Sequence, residues 1–377
     1  MNLILLPNLE AAGLERYYVN ALTKAVELYI VSAYLTEWDA PRELGRDCLK
    51  FRFIVGRDFG ITRKKACRDV LTWLPARMKH TFLIAAQIDG FHPKAMFWSE
   101  GHDSFHSLVG SSNLTRAAFS TNYEANVYQR LSEVEFRQAC NWIQEIELSC
   151  VPVSEDWLAR YREAPRKGPV GPNHKSSSTE LCEALQLPRI KGALNRVRER
   201  REQLDNHLTH KAGLIKLFKA CAAGQLSSAE FYNKLPSYWS VKLNNRLQGP
   251  GWERQGKRSD FQKLSQSFLQ IVDAKAADRD DVVAEQIDWL HREKVQSRAA
   301  FLSEMLCLQF PTLYPVKNQP VTEYLTDIRF RGPLDASEGA AYVDLAKRLR
   351  MSLRMNPKHS AKTIAELDAV IWLAYGK

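Results

Sequence analysis

Short apolar runs alternate with longer stretches whose apolar residues recur every three or four positions through the first part of the chain. The run Leu3-Ile4-Leu5-Leu6 predicts a first strand, and segment 14–25 an amphipathic helix. The largely apolar run 28–35 predicts a strand, and Phe51-Arg52-Phe53-Ile54-Val55-Gly56 a short one closed by a glycine turn. Segment 62–78 reads as a helix ending in basic residues, and 81–86 and 94–98 as strands. Two more short strands, 107–110 and 125–128, precede a helix over 133–147. Strands and helices alternating in this way over residues 1–160 predict an α/β sandwich with helices packed on a mixed sheet.

The pattern then changes. Residues 161–180 hold Pro165-Arg166-Lys167-Gly168-Pro169-Val170-Gly171-Pro172 and Ser176-Ser177-Ser178, a composition that buries no core and predicts a linker. Residues 181–377 read as a mostly α-helical domain. Ser227-Ser228-Ala229-Glu230 has the capping-box pattern, and Gly249-Pro250-Gly251 is expected to stop a helix that begins near Tyr238. Helical periodicity recurs over 260–274, 281–293, 299–309, 340–353 and 363–374, with no fixed-period repeat.

Charge narrows the partner. A formal net charge of +10 favours an acidic one, nucleic acid first and an anionic membrane surface second. No run of eighteen apolar residues exists to span a bilayer, and the apolar start lacks the basic residues of a signal peptide. The seven cysteines are scattered, with no Cys-x-x-Cys pair, and fit buried free thiols in a reducing cytoplasm. His102 and His106 lie in a polar spacer with no third ligand, so neither a metal nor another cofactor is expected.

Three short pieces carry chemistry: His92-Pro93-Lys94, Gly110-Ser111-Ser112-Asn113 and Asn122-Tyr123-Glu124. Each adjoins a strand-like run, which would bring them to one edge of a sheet. Imidazole is nucleophilic near neutral pH, and an ammonium two residues along the same strand faces the same side, where it can hold a phosphate oxygen. Ser111 and Asn113 offer neutral donors for the remaining oxygens, and Glu124 can accept the second ring N–H of the histidine. Thr115 is expected to brace the turn. Such a set stabilises charge without a metal.

The pieces resemble the phospholipase D superfamily, whose motif reads H-x-K, a spacer, then G-S-x-N. The match continues through Thr115, Ala118, Asn122 and Glu124, the offsets of single-motif nucleases, and covers roughly residues 1–150. In place of the superfamily's aspartate, five residues beyond the lysine, stands Ser99. The resemblance implies a phospholipase D-like α/β sandwich and a catalytic set of His92, Lys94, Ser111, Asn113 and Glu124. It also implies a phosphohistidine intermediate and, because the chain has one motif, a homodimer in which two copies of His92 share a site. A nuclease cleaving DNA in restriction or phage defence, with a helicase or methyltransferase as partner, is the expected function. Alternatives are a phospholipid phosphodiesterase or transphosphatidylase, and a non-catalytic nucleic-acid-binding scaffold.

The helical domain interleaves aromatics and cations: Tyr232, Tyr238, Trp239, Lys242, Arg246, Trp252, Arg254, Lys257 and Arg258. Aromatic faces stack on bases and cations track phosphates, so Trp239, Lys242, Arg246, Trp252, Arg254, Lys257 and Arg258 form a candidate nucleic-acid surface. A helical core with a solvated basic rim is the competing reading. The cluster Arg196, Arg198, Arg200 and Arg201 is expected to be a solvated helix start.

Overall fold

The computed structural model describes residues 1–6, 13–40, 42–101, 103–115, 118, 122–165 and 184–376, without the side chains of residues 250, 254 and 255. Two compact units emerge: Met1–Glu183 with Arg331–Ala336, and Ala184–Phe330 with Ser337–Lys377. The fold is α/β with a helical C-terminal region.

The first unit is built on an eight-stranded sheet: β1 (Asn2–Leu6), β2 (Glu27–Ser32), β3 (Lys50–Val55), β4 (Phe82–Ala85), β5 (Lys94–Ser99), β6 (Phe105–Gly110), β7 (Glu124–Leu131) and β8 (Cys150–Pro152). Its order is β1-β7-β6-β5-β2-β3-β4-β8. The β2–β3 and β3–β4 pairs are parallel and the remainder antiparallel, so the sheet is mixed. Central strands β2 and β3 are apolar without alternation because helices cover both faces. On one face the helix Glu15–Lys24 stacks Tyr17 on Tyr128 at 4.5 Å, and the helix Lys64–Trp73 sets Trp73 against Phe51. On the other, the helix Glu133–Glu147 brings Phe136 onto Phe105 at 4.9 Å and onto Tyr29 at 6.1 Å. That helix begins at the capping box of Ser132 and Glu135. A buried ion pair, Arg52 to Glu147 at 2.7 Å, ties its last turn to β3.

Helix and strand limits differ from the periodicity at two places in this unit. The helix expected over 62–78 stops at Trp73, because Pro75 holds Leu74 extended (ψ 138°), and Ala76–Thr81 continues as a 3₁₀ segment. The run 28–35 is strand only to Ser32; there the chain leaves the sheet with the Ser32 hydroxyl donating to the Tyr34 carbonyl at 2.8 Å. Most of the expected linker lies outside the described residues. Within the first unit, Tyr161 stacks on Trp157 at 4.4 Å and the Ala164 N–H donates to the Gly60 carbonyl at 2.9 Å.

In the second unit the helix Ala193–Ala222 runs 30 residues, about 45 Å. It joins the helices Phe261–Asp273, Arg279–Arg292, Ala300–Gln309, Glu338–Met355 and Ile364–Tyr375 around two apolar clusters. The helix expected from Tyr238 to Gly249 is absent. The Asn245 side chain accepts from the Ser240 N–H at 2.9 Å and donates to the Tyr238 carbonyl at 2.8 Å, while Asn244 adopts φ +48°. A local asparagine side chain here takes over backbone groups that a helix would have paired. Arg200 is also not solvated: it is 4% exposed and paired with Asp368 at 2.8 Å.

Candidate active site

Five strand ends meet along one edge of the sheet, in the lateral order β7, β6, β5, β2, β3. Glu124 opens β7, and Ser111 follows the end of β6. Lys94 opens β5 two residues after His92. Tyr34 lies two residues past β2, and Asp58 three past β3. The register fixes this alignment, since Ser32 pairs with both Lys94 and Val55, and Gly110 pairs with Asn126. Close approach is what makes Gly110 necessary: a methyl group there would lie 2.2 Å from Asn126 Oδ1 and 2.4 Å from the Ala125 carbonyl. The site groups expected from the sequence are therefore neighbours on consecutive strands.

His92 is exposed, and its ring rests edge-on against Tyr34 with centroids 5.7 Å apart. The Lys94 ammonium approaches His92 Nδ1 at 2.9 Å and Nε2 at 3.4 Å, and donates to the His92 carbonyl at 3.0 Å. Burial lowers the Lys94 pKa, while the Glu124 charge acts in the opposite direction.

Two expected roles change. Glu124 accepts no proton from His92; Ser111 Oγ and Asn122 Nδ2 donate to it instead, the latter at 3.2 Å. Ser111 accepts the Ala125 N–H at 3.0 Å, so its one proton and one lone pair are already engaged. It positions Glu124 rather than presenting a free donor. The Asn113 side-chain carbonyl accepts from the Tyr34 N–H at 3.3 Å, and its amide group has no partner among the described residues. The Thr115 hydroxyl accepts from the Ala118 N–H at 3.1 Å and braces the turn.

Ser99 sits at the opposite end of β5 from Lys94, about 17 Å along the strand. It is buried, and its hydroxyl accepts the Glu27 N–H at 3.3 Å. A carboxylate there would adjoin Glu27, so serine is the residue that suits this local environment. His106 is a core histidine, stacked on Trp98 at 4.9 Å and bonded to Tyr128 and Ser104, each at 2.8 Å; burial lowers its pKa. His102 lies outside the described residues, and no cluster of three or more metal-binding side chains occurs among those described.

Sequence reasoning missed Tyr34 and Asp58. The Asp58 carboxylate accepts the Gly90 N–H at 2.9 Å and the Phe91 N–H at 3.1 Å, fixing the loop that delivers His92. Nothing in the local pattern marks it, because its partners are more than thirty residues away and meet it only through the sheet register.

The aromatic and basic set of the helical unit is distributed differently from the expectation. Trp239 is 2% exposed, its indole N–H donating to buried Glu304 at 3.2 Å. Trp252 packs against Phe301 at 5.2 Å and Trp239 at 6.0 Å. Arg246 lies over the Trp239 ring at 4.6 Å and pairs with Glu253. Trp239 is thus core, whereas Trp252 and Arg246 are partly buried against it. Lys242, Lys257 and Arg258 are exposed; the Arg254 side chain lies outside the described set.

No family model and no curated protein sequence matches the chain. Among solved structures, NucT from Helicobacter pylori aligns with 16% sequence identity and a TM-score of 0.31, covering 40% of this chain and 98% of that one.

Proposed function

We propose that this chain is a metal-independent phosphodiesterase of the phospholipase D type, acting as a nuclease on DNA. One observation supports the reading: an exposed imidazole with an ammonium 2.9 Å from its ring nitrogen, near strand ends that bring a carboxylate, Glu124, and the segment holding Asn113. The net charge of +10 supports a polyanionic substrate.

A ring nitrogen of His92 attacks phosphorus in line; an N–P bond forms as the P–O bond to the leaving group breaks. Lys94 and the Asn113 amide hold the equatorial oxygens, where charge develops. His92 of a second copy of this chain gives its proton to the leaving oxygen. Water then forms a new P–O bond, releasing His92 and returning a proton to the second histidine. This scheme makes the working form a homodimer, and we place it in restriction or phage defence, where a helicase or methyltransferase would be the partner.

Hydrolysis of bis(p-nitrophenyl) phosphate and of DNA in EDTA tests the chemistry. Activity is expected to persist in EDTA and to fall on the order of 10³-fold or more in His92→Ala. Activity that vanishes in EDTA and returns only with Mg²⁺, or an active His92→Ala protein, would overturn the reading. Cleavage of a phospholipid in preference to DNA would overturn its nuclease part.

A further inference from the structure

Phe59 is the least comfortable residue at this edge. It holds φ +57°, ψ +6°, a left-handed conformation that a bulky residue seldom adopts, and it leaves its ring 79% exposed. Both features cost stability and neither serves the core. The conformation is enforced from both sides. Asp58 is bonded to the Gly90 and Phe91 N–H groups, and the Gly60 carbonyl accepts from Ala164 at 2.9 Å. Strain that the surroundings hold in place commonly marks a working position.

Its counterpart lies across the site. Tyr123, immediately before Glu124, is 93% exposed. Phe59 follows β3 and Tyr123 precedes β7, each two strands from β5, which carries His92 and Lys94. With strands about 4.8 Å apart, the strand ends that lead to the two residues lie about 10 Å on either side of β5. Two exposed aromatic residues thus adjoin the strand ends on either side of the one that carries His92 and Lys94.

We infer that Phe59 and Tyr123 are stacking platforms for the bases on either side of the scissile phosphate, which makes the substrate single-stranded nucleic acid. The inference rests on the phosphodiesterase reading above. Duplexes hide base faces between pairs, whereas a single strand can lay unstacked bases on aromatic rings. Each platform serves any base, so the expected preference is for strandedness and not for sequence.

The test measures binding by fluorescence anisotropy of labelled oligo(dT), oligo(U) and a DNA duplex of equal length, on the full chain carrying His92→Ala. Adding Phe59→Ala or Tyr123→Ala is expected to weaken single-strand binding about 5- to 150-fold each. Phe59→Tyr and Tyr123→Phe should retain it, and the duplex should bind at least about tenfold more weakly than the single strands. Single-strand affinity unaffected by both alanine changes, or duplex affinity equal to single-strand affinity, overturns the inference. Phe59→Gly, which needs no strain at this φ, repeats the measurement should Phe59→Ala misfold. Failure of bis(p-nitrophenyl) phosphate hydrolysis in the unmutated chain would count against the phosphodiesterase reading alone, since the binding series still reports on the two rings.

Discussion

Aromatic and charged residues come together in both units, with opposite outcomes. At the sheet edge, Phe59 and Tyr123 face solvent and His92 is exposed. In the helical unit, Trp239 is sealed beneath Arg246, with its N–H on Glu304 and Phe301 at its edge, 5.6 Å away. The first arrangement leaves the aromatic rings and the imidazole facing solvent; the second buries the indole and occupies its N–H internally. Composition does not distinguish these cases, because both segments mix the same residue types. Position within a closed or an open end of the architecture does.

The largest way to break that contrast is Trp239→Ala. If the ring is structural, the variant loses about 3–5 kcal/mol, read by urea denaturation of the helical signal in circular dichroism. A loss under about 1 kcal/mol would mean that the indole is not carrying the core.

Glu304 sharpens it further. Burial pushes its pKa up to about 7 from an ordinary 4.5, despite the Leu247 N–H and the opposing charges of Arg246 and Arg200. Between those two values the folded chain holds a proton that the unfolded chain has released. Its contribution to stability therefore falls as pH rises through the window, by up to about 1.4 kcal/mol per pH unit, and is level above it. Glu304→Gln is expected to gain on the parent steadily from pH 4.5 to 7 in matched denaturation series, and parallel curves would remove Glu304 as the cause.

The smallest effect is expected where the fold is most open. Phe59→Gly should leave the first unit as stable or raise its stability by up to about 1 kcal/mol, since glycine accepts positive φ without the side-chain clash. A clear drop in its melting temperature would show that the exposed ring supports the fold.

The two regions also differ in how far the chain announces them. The strand Phe51–Val55 was legible as a short β-rich run closed by a glycine turn, and the helix 133–147 from its helix-compatible pattern. The pieces around His92, Gly110 and Glu124 were legible as neighbours because each adjoins a strand end. What stayed hidden depended on partners distant in sequence. Asp58 takes its meaning from Gly90 and Phe91, and Ser111 and Glu124 engage one another instead of His92. Residues 238–249 misled because helix-compatible spacing there is overridden by one asparagine side chain. Trp239 misled because spacing alone does not say which side of a segment faces inward.

Arg331–Ala336 belongs to the first unit although some 150 residues separate it from Glu183. Its Leu334 carbonyl accepts the Lys79 ammonium at 2.7 Å, and its Gly332 and Arg331 carbonyls receive the N–H groups of Glu155 and Asp156 at 3.2 Å. Lys79 is nearly buried, so its ammonium has a partner only once this segment is present. During synthesis the α/β unit cannot be finished when its own strands have left the ribosome; its last piece emerges after most of the helical region. The order of translation thus sets a delay before the edge that carries His92 rests on a completed domain.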